Sequence, residues 1–425
     1  MKFKMALVAG LISGMAVSAV HAQADNSVNV GIVTFLSGPA ASPFGVPARN
    51  AAELLISEFN AGTAPAPYNK KGFGGSPLKM TLIDEAGNST AVVTEFRNLV
   101  QRDKVDLIVG YISSGNCLAI TPVAEELKTV TFLFDCGTPR IFEDGKKDFV
   151  FRAVNHATAD SVGAARYLKA QKPSIKNFGG INQNYAWGQD SWNDFSAAMK
   201  VLYPNVQITT SQMPKLFAGQ YSAEISALMA SKSEVVHTSF WGGDMEAFIL
   251  QSVPRGLYKN SDVVLVAGET AMFRLADRIP DGTIIGARGP YGVLAPDTPL
   301  NRWFQEKFTA KYNVPPNYTA YQMANSLLAA KLGYEKAMAA NGGKKPTSDQ
   351  IAAATRGLEY EGFGGKHKFS LGNGHQAVSE IAYGRAKKVD GKMTLVDVVR
   401  FPAEQVMPPE GVKSADWIAG GMKTK

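Results

Sequence analysis

The sequence predicts an α/β protein made of two doubly wound α/β lobes. Three observations lead there. Short apolar runs alternate with longer amphipathic stretches, which is a β-α-β-α order. Several of the runs are continuously apolar, as parallel strands covered on both faces must be. The whole pattern then occurs a second time further along the chain.

Taken in order, residues 28–35 (VNVGIVTF) read as the first strand, ended by a Ser37-Gly38-Pro39 turn. A helix follows over 48–60, with Ala48, Ala52, Leu55 and Phe59 on one face. Residues 62–77 are rich in Gly, Pro and Lys and read as a surface loop. The next strand is 78–84 and the next helix 90–101, with Val92, Phe96, Leu99 and Val100 inward. Strands at 106–110 and 130–134 flank a helix that contains 122–127. The second round has strands at 149–153, 178–181, 207–210, 234–238, 263–267 and 283–287. Its helices are expected at 159–169, 189–201, 222–230, 244–253, 299–311 and 318–338. A last strand is expected over 393–399, before a Pro-rich irregular tail.

Residues 1–22 have the composition of a cleavable export signal. Lys2 and Lys4 form a positive start, residues 6–20 are apolar, and Val20-His21-Ala22 offers small residues for cleavage after Ala22. Residue 23 is Gln, so a lipid-anchor cysteine is not expected there. The expected product is an exported, unanchored protein. The formal net charge of +7 is mild, two units of it lie in the signal, and the basic residues are scattered in short pairs. Without a basic stripe and interleaved aromatics, nucleic acid is a poor partner. Hydrophobic content of 45% with 19% charged residues describes a globular chain rather than a disordered one. The two cysteines, Cys117 and Cys136, are either bridged or a pair of buried thiols. Export favours the bridge.

Catalytic and metal motifs are absent from the sequence. Five histidines are scattered without metal-ligand spacing, two cysteines cannot build a zinc cluster, and no G-x-S-x-G occurs. No metal and no cofactor is expected. Ser113-Ser114 resembles a nucleophile site only superficially, since no His or acid can be paired with it, so the chain is read as a non-enzyme. Gly72-Phe73-Gly74-Gly75 and Gly362-Phe363-Gly364-Gly365 lack the Lys of a phosphate loop and serve as turns.

Loops at strand C-terminal ends are where open α/β sheets bind ligands. Ser113, Ser114 and Asn116 follow the strand 106–110 and open a helix. Hydroxyls and free N–H groups there suit a carboxylate, or else simply cap the helix. Thr138 follows the next strand. Trp187 and Trp241 sit on glycine-flanked loops before helices, as ligand walls or as core residues. Glu269 follows the strand 263–267, where it either faces an ammonium group or caps a helix.

Together these loops resemble the periplasmic leucine/isoleucine/valine-binding proteins, solute receptors of ABC importers. Val30-Gly31-Ile32-Val33 with Leu36-Ser37-Gly38-Pro39 is similar to the family's first strand and loop. Gly110 to Asn116 is similar to its strand-then-serines site, and Pro122-Val123-Ala124-Glu125-Glu126 to the following helix. Thr138-Pro139 matches its threonine loop. Phe44-Gly45 and Trp187-Gly188 stand where the family has aromatics near the ligand, with Phe and Trp in place of Tyr. Glu269 stands where amino-acid-binding members hold the ammonium. The resemblance implies a type I periplasmic binding protein fold, two lobes joined by three hinge crossovers near residues 153, 289 and 358. Lobe 1 would then be 27–153 plus 290–358, and lobe 2 would be 154–289 plus 359–425. It also implies a monomeric receptor that closes on one small carboxylate-bearing ligand and meets membrane permease subunits. An amino acid with a hydrophobic or aromatic side chain is the favoured ligand, with aromatic acids or amides as the alternative. Phe44, Ser113, Ser114, Asn116, Thr138, Trp187, Trp241 and Glu269 are the expected ligand-binding residues. A ligand sensor of the same fold, or a serine hydrolase, is the competing reading.

Overall fold

The computed structural model describes Met1 and residues 26–424. The expected export signal, apart from Met1, lies outside the described residues. Ten parallel strands form two sheet cores of the same order. In the first, β1 (Val28–Thr34), β2 (Leu78–Asp84), β3 (Leu107–Gly110), β4 (Thr131–Leu133) and β5 (Val150–Arg152) run in the order β2-β1-β3-β4-β5. In the second, β6 (Asn177–Ile181), β7 (Gln207–Gln212), β8 (Val235–Thr238), β9 (Asp262–Leu265) and β10 (Ile284–Gly286) run β7-β6-β8-β9-β10. Each strand expected from sequence up to residue 287 forms within a few residues of its expected ends. The central strands are buried along their length: Ile32 faces Leu82 on one side and Val109 on the other. Such strands carry their own signal, because both faces need apolar side chains.

Five further strands were not all legible. β11 (Glu359–Gly362), β12 (Gly365–Leu371) and β13 (Gln376–Val378) extend the first sheet beside β5. β14 (Ile381–Val389) and β15 (Lys392–Phe401) extend the second beside β10. Of these only the region of β15 was expected. Lysines interrupt β12 and β14 at 366, 368, 387 and 388, so neither shows a continuous apolar run. The Gly-Phe-Gly-Gly at 362–365 is the turn between β11 and β12. This membership corrects the expected lobe boundary. Residues 359–378 belong to the first sheet, and the last passage between sheets falls between Val378 and Ile381, not near 358.

Helices close both sheets. In helix Ser89–Gln101, Val92, Phe96 and Leu99 are buried on one face, and Asn88 caps the start by accepting the Ala91 N–H at 3.0 Å. Helix Ser114–Glu126 begins directly at the second serine of the β3 loop. The C-terminal segment packs on the second lobe: Val406, Met407, Trp417, Ile418 and Met422 join a core with Val162, Trp192 and Phe195. Arg166 holds it further, donating to the carbonyls of Gln405 and Met422. A second core runs through both lobes, joining Phe35 and Phe44 of the first to Trp187 and Trp241 of the second. No described helix is long and apolar enough to cross a membrane.

Candidate functional site

In a sheet of order 2-1-3-4-5 the crevice lies beyond the carboxyl ends of the strands, beside the first strand where the winding reverses. Both lobes point that edge at each other. The loops after β1, β3, β4, β6, β8 and β10 meet there around a cavity of ≈ 10 Å³, room for about one water. Its walls are Phe44, Ile112, Ser114, Asp135 and Gly137 with Tyr185, Trp187, Trp241, Arg288 and Tyr318. Tyr185 also borders an outer pocket of ≈ 460 Å³ at the cleft mouth, where Phe35, Ser113, Asn116 and Phe217 lie.

Arg288 is the charge at the centre of this cavity. It follows β10 in the left-handed region, φ +50°, a strained conformation for a non-glycine residue that recurs at functional sites. Its Nη1 donates to the Asp135 carbonyl at 2.6 Å and to the Asp135 carboxylate, and its Nε donates to Asp160 at 3.2 Å. Gln322, with its amide turned to donate, reaches Asp135 Oδ1 at 2.7 Å. Burial opposes the guanidinium charge, but the two carboxylates outweigh it and keep Arg288 protonated. Burial likewise raises the Asp135 and Asp160 carboxyls, and Arg288 opposes that rise. Arg288 Nη2 has no partner although it is buried. A buried, unmatched charged N–H pair is costly and marks a place for an acceptor.

Two further donors converge on the cavity. Ser114 Oγ accepts the N–H groups of Gly137 and Thr138 at 3.1 and 3.2 Å. Its lone pairs are thereby used, and its own proton is left free to donate. Tyr185 accepts the Trp241 indole N–H at 2.7 Å, which leaves the phenol proton to donate. The remaining walls are aromatic faces. The guanidinium carbon of Arg288 lies 4.3 Å from the Trp187 ring centre, and Trp187 is fixed by donating to the Ser239 carbonyl at 2.8 Å. Phe44 packs at 5.4 Å against both Trp241 and Tyr318.

The serine loop is set from behind. Glu85 is buried and accepts the N–H groups of Ile112 and Ser113 and the Asn116 amide. Burial pushes its carboxyl up to about 8 against those three bonds. Asn116 therefore acts toward Glu85, with its flank at the outer pocket. The Cys117–Cys136 disulfide ties this loop to the loop after β4, with Cα atoms 6.4 Å apart. Chain entropy alone assigns such a bridge about 3 kcal/mol. The unfolded, unreduced protein should show no free thiol, and reduction should lower its Tm; two titratable thiols before reduction would contradict the bridge.

Of the residues expected at the site, Phe44, Ser114, Trp187 and Trp241 meet in the inner cavity, and Ser113 and Asn116 border the outer pocket. Two lie elsewhere. Thr138 points across the cleft and donates to Asp190 Oδ2 at 2.6 Å, beside the Arg140–Asp190 ion pair at 2.5 Å. With the Gly243 N–H to Pro39 carbonyl bond of 2.9 Å and Arg274 to Ser42 at 2.7 Å, it clasps the lobes together. Glu269 sits outside the cavity and caps helix Tyr318–Ala340 by accepting the Tyr318 N–H at 2.8 Å. Packing of that helix against the loop, invisible in sequence, takes the carboxylate that an ammonium would have needed.

Burial pushes Glu269 up to about 7, against the N–H groups of Tyr318 and Val293. The folded chain thus keeps a proton that the unfolded chain has lost. The stabilisation is present below the ordinary Glu value and disappears as pH rises through about 7. Glu269→Gln should therefore flatten the fall in stability between about pH 4.5 and 7. Solute affinity should stay within about twofold, because Glu269 meets the cavity wall only through the backbone N–H of Tyr318, and a Gln side-chain oxygen still accepts that bond. Urea melts at both pH values and calorimetry check this, and a large affinity loss would return Glu269 to the site.

Sequence reading missed Asp135, Tyr185, Arg288 and Tyr318. The first three follow expected strands just as the serines do, so the strand-end argument would have found them. Tyr318 had no such signal. Among the described residues no cluster of three or more His, Cys, Asp or Glu has metal-binding geometry.

The family model described as periplasmic binding protein matches residues 27–392. None of the curated proteins matches the sequence. Among solved structures, a solute-binding protein of an ABC transporter from Rhodopseudomonas palustris in complex with 3,4-dihydroxybenzoic acid is 20% identical, with a TM-score of 0.75 over 89% of this chain and 98% of that one. Another from the same species, in complex with benzoate, is 18% identical with a TM-score of 0.74, covering 88% and 96%. A leucine-binding protein from Thermotoga maritima is 16% identical with a TM-score of 0.70, covering 88% and 98%. Two sheets of one winding order, a cleft between their carboxyl edges and this match over most of the chain lead to one conclusion: the chain belongs to the periplasmic binding protein family, as a non-enzymatic solute receptor of the type I fold.

Proposed function

We propose that the protein is the periplasmic receptor of an ABC importer and that its solute is a small aromatic carboxylate. The carrying observation is the unpartnered Arg288 Nη2, buried among aromatic faces. A carboxylate there accepts from Arg288, Ser114 and Tyr185 at once, and charge-assisted bonds of this kind are the strong ones. The inner cavity is too small for a ring, so the ring extends past Tyr185 toward the outer pocket, between Phe35, Phe217 and Trp241. The benzoate-type ligands of the two Rhodopseudomonas palustris structures fit this chemistry. The export signal is removed after Ala22, the receptor acts as a monomer, and the closed form is handed to permease subunits.

An α-amino acid is the second reading, favoured by one observation, the Asp135 carboxylate in the cavity wall. Asp135 is already engaged by Arg288, which weakens that reading. A thermal-shift and calorimetry screen of benzoate, 4-hydroxybenzoate, phenylpropionate, phenylalanine and leucine decides between them. A ligand at 100 times its Kd should add about 2.7 kcal/mol of stability. Phenylpropionate should bind more tightly than phenylalanine, which differs from it only by the α-amino group. The reverse order gives the site to amino acids.

A further inference from the structure

A second cavity, of ≈ 180 Å³, lies at the hinge between the first lobe and the C-terminal segment. Arg152, at the end of β5, and His156, at the start of helix Ala157–Gln171, line it where the chain first passes between sheets. We propose that this cavity is a second binding site, for a small monocarboxylate whose oxygens meet Arg152 Nη2 and whose short apolar body lies against Phe142, Leu371 and Val412.

Arg152 is fully buried, and three of its donor directions are used. Nε donates to Gln376, and Nη1 donates to the carbonyls of Cys136 and Thr138 at 2.8 and 2.6 Å. Nη2 has no partner. None of the acids around the cavity accepts from Nη2, although Glu143 supports the guanidinium charge through space. Glu143 Oε1 is held by the N–H and hydroxyl of Ser414 at 3.0 and 2.5 Å, and Glu410 accepts the Asn373 N–H at 2.8 Å. Lys413 at the rim is turned to Asp144 at 3.3 Å. The guanidinium is thus the one charge of the wall left with an unmatched donor pair. Burial, and after it Arg288, bring Arg152 down to about 9, so it is still cationic at neutral pH and an anion beside it relieves both causes. The Phe142 ring centre lies 5.4 Å from its guanidinium carbon.

Size and chemistry together select the ligand. An apolar cavity of about 150 Å³ holds benzene, so this one takes a few carbons beyond the carboxylate. The position suggests a consequence for the cleft. Arg152 Nη1 grips the loop that carries Gly137 and Thr138, so an occupant at Nη2 stiffens a wall of the solute site.

The test is a titration of the purified protein with sodium propionate, against sodium chloride at equal ionic strength, followed by thermal shift and by calorimetry. Propionate should raise the Tm and bind with a saturable isotherm. Val412→Trp fills the cavity from the surface segment and should abolish the effect while leaving the fold intact. Arg152→Gln should abolish it too if that variant folds. Gly137→Val, whose added carbons point at Trp187 in the cleft and away from this cavity's lining, should keep it. The proposal is overturned if propionate behaves as chloride does, or if Val412→Trp responds as the parent does.

Discussion

Arg288→Gln loses the solute. Removing one partner of a buried, hydrogen-bonded charge pair typically costs about 2–5 kcal/mol, which at the middle of that range is a loss in Kd of over a hundredfold. The same change leaves Asp135 and Asp160 without their cation. Stability should fall by about 3–5 kcal/mol at neutral pH, because two buried carboxyls then face each other unpaired. Both carboxyls are already raised by burial, and losing Arg288 raises them further. A raised carboxyl stabilises the fold below its ordinary value and ceases to as pH rises through the folded value. The variant should therefore be nearest the parent in stability at mildly acidic pH, where its affinity is best measured. Arg288→Lys should fall between the two, since a point charge keeps the ion pairs but not the planar fork. A folded Gln variant with unchanged Kd would remove Arg288 from the site, and the aromatic-carboxylate reading with it.

Gly137→Val should weaken binding as strongly by a different route. A Cβ at residue 137 would overlap the Trp187 ring and come to 2.9 Å from Arg288 Nη2. Gly137 belongs to the first lobe and Trp187 to the second. The clash is therefore relieved by parting the lobes rather than by distorting either. Its φ is outside the left-handed region, so the backbone accepts a side chain there. The expected outcome is a Tm close to the parent's without solute and an affinity at least about a hundredfold lower. Small-angle scattering should show a wider particle that solute does not compact. A Val variant that closes normally would mean that Trp187 has another place to go.

The two variants differ in what they test. Arg288 supplies chemistry, and Gly137 supplies only room. Loss of binding in the first with retention in the second would mean that the solute sits at Arg288 without the lobes meeting as tightly as they do here.

The sequence by itself determined the fold class and the ten parallel strands. That information is local: a strand covered on both faces must be apolar along its length, and a covering helix must be apolar every third or fourth residue. It also determined which loops face the cleft, since winding order puts strand ends there. Three of the eight expected ligand residues, Ser114, Trp187 and Trp241, came to the inner cavity on that ground, and Phe44 came there on the family resemblance. The strands β11 to β14 were not legible, because lysines break the apolar pattern of β12 and β14, and β11 and β13 are only four and three residues long. Only the tertiary structure decided which charge the cavity presents. Arg288 and Asp135 are 153 residues apart and meet through a connection between lobes. Glu269 caps a helix 49 residues away, and Thr138 clasps a helix 52 residues away. A side chain's partners are set by which elements pack beside it, and no local pattern records that.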